Sequence, residues 1–467
     1  MARNASRLFN AGCRFTLALC TVLASSTLIT FISAAPAAAE TPSCDLYASV
    51  TGNNASSGSA AAPLRTISAL LSHLHAGQTG CLASGQTFNE GVSIHSGESH
   101  GAEGAPVTLT SAQPSAPALI NGRVATETGA DWLTFTHLDF TYSEHGLPSI
   151  TVGSAHTTWT YDDVTAPTTI CFNLINSSWG LAQSTLIEHD RVHNCGSQET
   201  FLCNQNIPTC ETPPNDGFYL HAVYVGGGRN TTIRNNYLYD NADRGVQMRS
   251  GAEGVIVEHN IIDGNGEGVI FGDGASHATV QWNIITSSHS RCGELGSCYD
   301  YAASEYNAVG SNLLAHNDVY GNQCAQAVPA CWPNVGNVEK MGHVTVEQNL
   351  EAAPRYVDAA AGDYTLQSGS PAVGYGPDTA QPGGSSGTVT ETSPPPTPTP
   401  TPVTEPVVTS HTHHWRPGGA ARAAVSVRGT TTHRAHRATR RRHHRALRRS
   451  RHHRQARRAT RARHHRA

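Results

Sequence analysis

VIVEHNIIDGN, residues 255–265, is the stretch that decides the fold, because variants of it recur along the chain. The related segments are TLIEHDRVHN (185–194), TTIRNNYLYDN (231–241), TVQWNIITSS (279–288), LLAHNDVYGN (313–322) and VTVEQNL (344–350). They align on one polar turn position, held in turn by Asp190, Asn236, Asn260, Asn283, Asn317 and Asn349. A short repeat of this kind is typical of a solenoid in which each repeat forms one coil.

The spacing of this turn position separates regular coils from coils with insertions. Successive steps are 46, 24, 23, 34 and 32 residues, so the regular steps set a coil of 23 or 24 residues. Such a coil holds three short strands, and stacking places equivalent residues about 4.8 Å apart in parallel ladders. The aligned asparagines are then expected to hydrogen bond amide to amide, and the longer steps to contain insertions.

Alternation within one coil predicts which side chains face the interior. Val255 and Val257 are expected to point inward, with Ile261 joining the same interior after the turn, while Glu258 points outward. The outward positions of successive coils predict a surface ladder of mostly opposite charges: Glu188, Arg234, Glu258 and Gln281.

The two ends of the chain differ in composition from the repeats. Residues 1–39 combine three arginines, an apolar run and a close of small residues, which predicts a signal peptide and a secreted protein, extracellular or associated with the cell surface. The folded domain is expected over 40–376. Residues 377–410 are rich in Pro, Thr, Ser and Gly and predict a linker. We expect the protein to be a monomer.

Charge is distributed unevenly between the body and the tail. Residues 411–467 hold 18 Arg and no Asp or Glu, whereas residues 41–410 hold 10 Lys plus Arg against 34 acidic residues. The tail is therefore expected to be disordered when unbound and to bind cell-wall or other polyanions.

Ten cysteines follow the predicted signal peptide, an even number that indicates disulfides in an exported chain. Three short-range pairs each lie inside one of the predicted insertions: Cys203 with Cys210, Cys292 with Cys298, and Cys324 with Cys331. The spacings do not match zinc sites. The sequence leaves open the pairing of Cys44, Cys81, Cys171 and Cys195.

Both ends of the predicted domain resemble a known family. LYASVTGNNASSGSAAAPLRTISALLSHLHAGQTGCLASGQTFNEGVSI (46–94) resembles the cap, and APRYVDAAAGDYTLQSGSPAVGYG (353–376) the last rung, of right-handed parallel β-helix proteins of the pectate-lyase-like superfamily. That superfamily includes polysaccharide lyases of the chondroitinase and alginate lyase type. The resemblance covers residues 44–376. It implies an all-β, right-handed parallel β-helix with a short N-terminal capping helix and a polysaccharide cleft on one sheet.

The strands that would floor this cleft carry the candidate site residues. Lyase chemistry on an acidic polysaccharide needs a cation to neutralise the uronate carboxylate and a base to take the adjacent proton. Arg244 and Arg249 are candidates for either role. Further acid/base candidates are His221 and Tyr224, although a histidine at such a strand start is more often structural. The residues expected to contact the sugar are Gln247, Asp273 and Arg291.

Asp243 and Glu267 lie 24 residues apart, which places two carboxylates on neighbouring coils. Such a pair binds a cation such as Ca²⁺, raises the pKa of one member, or diverges into water, and the last is the commonest outcome. Calcium is thus the one cofactor that the sequence offers.

A polysaccharide lyase is one hypothesis for the function. The alternative is a non-catalytic, adhesin-like or structural β-helix that binds glycan and is anchored electrostatically by its tail.

Overall fold

The computed structural model describes residues 42–95, 97–144, 146–197, 220–288, 301–322 and 342–380. In the described residues between Thr79 and Tyr320 the chain visits three parallel sheets in turn, so each complete coil adds one strand to each sheet. One coil consists of strands Ile256–Glu258, Ile261–Asp263 and Glu267–Phe271. The predicted parallel β-helix is confirmed.

The sheets are named here sheet 1, sheet 2 and sheet 3, and a coil runs from sheet 1 to sheet 3 and then to sheet 2. Sheet 1 has eleven strands: Leu46–Ala48, Thr79–Leu82, Val107–Ser111, Leu133–Thr136, Thr158–Thr160, Leu186–Glu188, Thr232–Arg234, Ile256–Glu258, Thr279–Gln281, Asn312–Ala315 and Val344–Glu347. Sheet 3 has nine: Thr87–Phe88, Ala118–Asn121, Leu138–Thr141, Asp163–Thr165, Arg191–His193, Tyr237–Tyr239, Ile261–Asp263, Ile284–Thr286 and Asp318–Tyr320.

Sheet 2 carries the candidate site. Its parallel strands are Val92–Ile94, Val124–Thr126, Ile150–Val152, Phe172–Ser177, Val223–Gly226, Arg244–Arg249, Glu267–Phe271 and Ala303–Glu305. Strand Gly180–Leu181 folds back antiparallel onto Phe172–Ser177.

The interior is a continuous column of side chains in register. Val257 lies between Ile233 and Val280 on neighbouring strands, and all three are fully buried. Nearer the N-terminus, the rings of Phe135 and Trp159 stack with centroids 4.0 Å apart. Each coil covers the apolar face of the next, so the core depends on stacking.

The predicted asparagine ladder is present at the turn between sheets 1 and 3. The Nδ2 of each asparagine donates to the Oδ1 of the next, at 3.0 Å from Asn236 to Asn260 and 2.9 Å from Asn260 to Asn283. The series continues at 2.9 Å to Asn317 and 3.0 Å to Asn349. Each Nδ2 also donates to a backbone carbonyl of the preceding coil, for example Asn260 to Ile233 at 2.8 Å.

Two expectations about the interior were wrong. Ile261 is buried, but it faces away from the solenoid core, which Ile262 fills instead.

Residues 353–376 do not form a last rung, because Tyr356–Asp358 and Asp363–Leu366 pair antiparallel. This ribbon packs on the outer face of sheet 3 and covers an apolar cluster comprising Tyr239, Ile261, Ile284, Tyr364, Leu366, Ala372 and Ala380. The packing therefore continues past Gly376 to Ala380.

The N-terminal coil carries the predicted short helix, Ile67–His73. Thr66 caps it by accepting from the Ala69 N–H at 3.1 Å, and Glu90 accepts from the Ile67 N–H at 2.8 Å. These bonds satisfy amides that a helix start leaves unpaired. Two short 3₁₀ helices, Ala359–Ala361 and Asp378–Ala380, lie near the other end of the described chain.

The four cysteines whose pairing the sequence left open form two disulfides, Cys44–Cys81 and Cys171–Cys195. The three predicted short-range pairs lie outside the described residues. Among the described residues, no helix has the length and apolar character needed to cross a membrane.

Candidate functional site

The site lies on the outer face of sheet 2. Val246 and Met248 point into the core and are fully buried, so Gln247 and Arg249 on the same strand point outward. Tyr224 is the register partner of Gln247 on the preceding strand, and Gly226 is the partner of Arg249. Tyr224, Gln247 and Arg249 thus lie on adjacent strands, about 4.8 Å apart in the ladder direction.

A buried charged cluster lies at the start of these strands. The guanidinium of Arg244 is ion-paired to Asp243, and its Nε donates to Glu267 Oε2 at 3.2 Å. His221 Nδ1 lies 3.2 Å from Asp243 Oδ2, close enough for an ion pair but not aligned for a hydrogen bond. Ser304 Oγ donates to Glu267 Oε1. The cluster joins four neighbouring strands through charged and polar side chains.

Burial changes the protonation of two members of this cluster. Glu267 is 1% exposed, and burial raises its pKa to about 8, although Arg244 and Ser304 oppose that shift. Burial also lowers the pKa of His221, against the raising effect of Asp243. Burial thus favours the neutral form of both side chains, and Arg244 and Ser304 favour the ionised form of Glu267.

Arg249 lies at the other end of the same strand and is more accessible than Arg244. Its side chain is 34% exposed, against 12% for Arg244. The Nε of Arg249 donates to Asp273 Oδ2 at 2.9 Å, and Asn307 Nδ2 donates to Asp273 Oδ1 at 2.9 Å. The Asn307 hydrogen bond, with help from Arg249, lowers the pKa of Asp273. Asp273 thus fixes the direction of the Arg249 guanidinium.

The predicted sugar-contacting residues are only partly brought together. Asp273 lies beside Arg249, and Gln247 lies two residues before Arg249 on the same strand and is 5% exposed. The Oε1 of Gln247 is buried without a hydrogen-bond partner. Arg291 lies outside the described residues.

The residues predicted to bind calcium do not fit that ion. The Arg244 guanidinium contacts both carboxylates, so a cation already occupies the space between Asp243 and Glu267. Calcium takes six to eight oxygen ligands, and no group of three Asp, Glu, His or Cys side chains suited to a metal occurs in the described ranges.

Ser304 and Asn307 are site residues that the sequence reasoning missed. Both follow the segment 289–300, which interrupts the regular spacing, so a coil length of 23 or 24 residues does not align them with an earlier coil. The 34-residue separation of Asp273 and Asn307 matches the step from Asn283 to Asn317 and was the available signal.

Comparison with known families agrees with the geometry. The family model described as "Right handed beta helix region" matches residues 173–285. This segment is a right-handed β-helix. It contains the strands that carry Tyr224, Arg244, Arg249 and Glu267, and the coils on either side continue its three sheets without a change of register.

Several solved structures are similar to the β-helix. Pectate lyase Pel9A is 14% identical, with 69% of this chain and 84% of that chain covered and a TM-score of 0.47. The alginate lyase from Paenibacillus sp. str. FPU-7 is also 14% identical, with coverage of 61% and 92% and a TM-score of 0.38. The complex of XylC with xylose is 10% identical, with coverage of 66% and 68% and a TM-score of 0.45. No curated protein matches the chain by sequence.

Proposed function

We propose that the protein is a secreted, monomeric β-helix that binds an acidic polysaccharide on the outer face of sheet 2 and cleaves it by β-elimination. The observation that carries the proposal is the placement of a partly exposed phenol, Tyr224, against the buried acid/base cluster, with a partly exposed cation, Arg249, on the adjacent strand. Groups whose pKa is shifted by burial and by a charged partner cluster at catalytic sites.

The reaction assigns a separate role to each accessible group. Arg249 pairs with the uronate carboxylate and stabilises the negative charge that develops when the adjacent carbon loses its proton. Tyr224, as the phenolate, takes the proton from the carbon next to the carboxylate, and the resulting phenol then gives that proton to the glycosidic oxygen. The electron pair left by the proton forms a carbon–carbon double bond, the bond to the glycosidic oxygen breaks, and that oxygen leaves with a proton.

The buried groups act through their neighbours. The rings of His221 and Tyr224 lie 5.5 Å apart, so His221 is placed to position the phenol and to influence its proton. Arg244 has carboxylate partners on both sides and is 12% exposed, which suits holding the strand starts together. Glu267 and Asp243 are positioning residues for Arg244.

The test is incubation of the full chain with pectate, alginate and glycosaminoglycans, followed by ultraviolet absorbance of the unsaturated product. Arg249→Ala is expected to abolish product formation while leaving the thermal unfolding midpoint nearly unchanged. Arg229→Ala is the matched control, because Arg229 is an exposed arginine ion-paired to Glu253 at 3.6 Å at the turn before sheet 1. Full activity of Arg249→Ala removes the assignment. Saturable binding without product supports the non-catalytic alternative.

The charge of residues 411–467 supports a separate anchoring role. Eighteen arginines without one acidic residue should release counterions from any polyanion, so retention should fall steeply with salt. We propose that this segment holds the enzyme on anionic cell-wall polymer. The check is retention of the full chain on anionic wall or heparin at low and high salt, against a chain that ends after Gln381. Equal retention of the two contradicts the anchor.

A further inference from the structure

We infer that Trp179, Arg249 and Tyr306 form a rim that binds one extended chain of acidic polysaccharide along the solenoid axis. The inference rests on the proposed function and assigns its distal subsites. The rim lies at the ends of the sheet 2 strands, where Ser177, Gly226 and Arg249 end three successive parallel strands.

Trp179 is an exposed ring on a fixed backbone. It occupies the turn of the hairpin formed by Phe172–Ser177 and Gly180–Leu181, and it is 63% exposed. Its carbonyl accepts from the Thr128 N–H at 3.0 Å and from Thr128 Oγ1 at 3.2 Å, and its own N–H donates to Ser177 Oγ at 3.1 Å. The indole is thus presented to solvent by a tethered turn.

The hairpin is an addition to one coil. The turn ladder advances 28 residues from Asp162 to Asp190, against 24 residues from Asn236 to Asn260. Gly180 lets the added residues lie flat on the sheet, since a Cβ there would be 1.8 Å from the Gly153 carbonyl oxygen. The extra residues bury almost no apolar surface, because Ser177, Ser178 and Trp179 are all exposed.

The other tryptophans in the described ranges behave differently. Trp159 is fully buried, Trp132 stacks on His156 at 4.0 Å, and Trp282 stacks on His316 at 4.7 Å. Among the residues that the structure describes, Trp179 contacts no other aromatic ring. An unpaired, exposed indole that is held by its backbone is suited to stack on a ligand.

Tyr306 gives the rim a second ring. It directly follows strand Ala303–Glu305 and is 59% exposed. Along sheet 2, the strand that ends at Arg249 lies two strands from the strand before Trp179 and two strands from the strand before Tyr306. Arg249 therefore lies about 10 Å along the axis from Tyr306. Trp179 lies farther from Arg249, because its carbonyl contacts Thr128, which follows strand Val124–Thr126, four strands from the strand that ends at Arg249.

Between the two rings, glycines on the strands beside Arg249 leave no side chain projecting from the sheet. Gly226 and Gly272 flank Arg249 on the neighbouring strands, Gly226 as its register partner and Gly272 directly after Phe271. A Cβ on Gly226 would lie 2.8 Å from the Tyr224 ring, and a Cβ on Gly272 would lie 2.7 Å from the Met248 carbonyl oxygen. A surface that carries a cation between two rings matches an extended glycan with a carboxylate over Arg249 and sugar rings over the aromatic side chains.

The test measures binding separately from cleavage, using hexagalacturonate and an alginate hexamer with the full chain. Trp179→Ala and Tyr306→Ala are each expected to weaken hexamer binding about tenfold and disaccharide binding much less. Trp179→Phe and Tyr306→Phe should retain most of the affinity. Tyr320→Ala, which removes a ring 43% exposed on sheet 3, is the matched control.

Hexamer affinity of Trp179→Ala and Tyr306→Ala equal to that of Tyr320→Ala overturns the rim, as does an absence of saturable hexamer binding by the unmodified protein. If product formation requires Arg249 but hexamer binding and cleavage require neither ring, the proposed function is supported and the rim is contradicted. If both alanine variants lose affinity as expected but no unsaturated product is ever formed, the rim is supported and the lyase activity is contradicted.

Discussion

The turn ladder has different chemistry in its two halves. From Asn236 to Asn349 every coil places an asparagine there, and each Nδ2 between coils finds an acceptor. In the two preceding coils the position is held by Asp162 and Asp190. Their Oδ1 atoms accept backbone N–H groups at 2.9 and 2.8 Å, as the asparagines do, but their Oδ2 atoms are buried without partners.

The comparison teaches what this position requires. The Oδ1 atom at this position must accept a hydrogen bond, and aspartate can do that. The other terminal atom of the side chain must donate a hydrogen bond, and an ionised carboxylate cannot. Burial raises the pKa of both Asp162 and Asp190, with Asp190 adding to the shift at Asp162. A protonated carboxylic acid has a donor where asparagine has its amide. The aspartate half of the ladder is therefore sensitive to pH, and the asparagine half is not.

The largest expected effect comes from placing the aspartate chemistry inside the asparagine half. Asn260→Asp removes an Nδ2 that donates to Ile233 O, Glu258 O and Asn283 Oδ1. We expect a loss of about 3–5 kcal/mol in the free energy of unfolding at pH 7, because a buried charge loses its donors. Denaturant melts at pH 7 and pH 4 measure it, and the loss should shrink at pH 4.

Asn260→Ala is the control for that prediction, since it removes the same donor, together with the Oδ1 that accepts from Asn236, without adding a titratable group. Its loss of stability should be similar at both pH values. If the free energy of unfolding lost in Asn260→Asp does not depend on pH, then the missing donors do not distinguish the two halves of the ladder.

The reverse exchange, Asp190→Asn, is expected to stabilise the protein at pH 7 by about 1–3 kcal/mol. The new Nδ2 would face the Trp159 carbonyl, which corresponds to the Ile187 carbonyl that Asn236 Nδ2 contacts at 2.9 Å. Because the folded pKa of Asp190 is raised, its contribution is complete below about pH 4 and is lost as pH rises through the folded pKa. The slope of stability against pH should therefore be flatter in Asp190→Asn. If the slope of stability against pH is unchanged in Asp190→Asn, the pH sensitivity comes from groups other than Asp190.

The asparagine ladder could be predicted from the sequence because a polar residue that recurs every 23 or 24 residues marks the same turn in each coil of a solenoid. The sequence could not separate Ile261 from Ile262, since both are apolar and the covering ribbon at 356–366 lies far away in the chain. A second ladder was missed, in which Asn241 Nδ2 donates to Asn265 Oδ1 at 2.9 Å. Its 24-residue spacing was visible in the sequence.

Site prediction met a different limit. Strand alternation correctly placed Gln247 and Arg249 outward, and the coil length brought Asp243 and Glu267 onto neighbouring coils. The sequence did not show that Arg244 would bridge the two carboxylates, because that contact depends on side-chain direction at the strand start. Arg244 was therefore predicted only as a substrate-facing group. The carboxylates were predicted to bind Ca²⁺, to raise the pKa of one member or to diverge into water.

The smallest expected effect concerns the predicted charge ladder on the outer face of sheet 1, which runs beside the buried ladder. Arg234 Nε donates to Glu188 Oε2 at 2.7 Å, and Gln281 Nε2 donates to Glu258 Oε2 at 3.0 Å. Arg234 is 43% exposed, so water and salt screen its pairing. Arg234→Gln should cost about 0–1 kcal/mol in the free energy of unfolding, and less at high salt. Denaturant melts at low and high salt check this, with Asn260→Ala as the buried counterpart on the adjacent turn. A loss from Arg234→Gln as large as that from Asn260→Ala would mean that surface charge, and not the buried amide ladder, fixes the stacking of the coils.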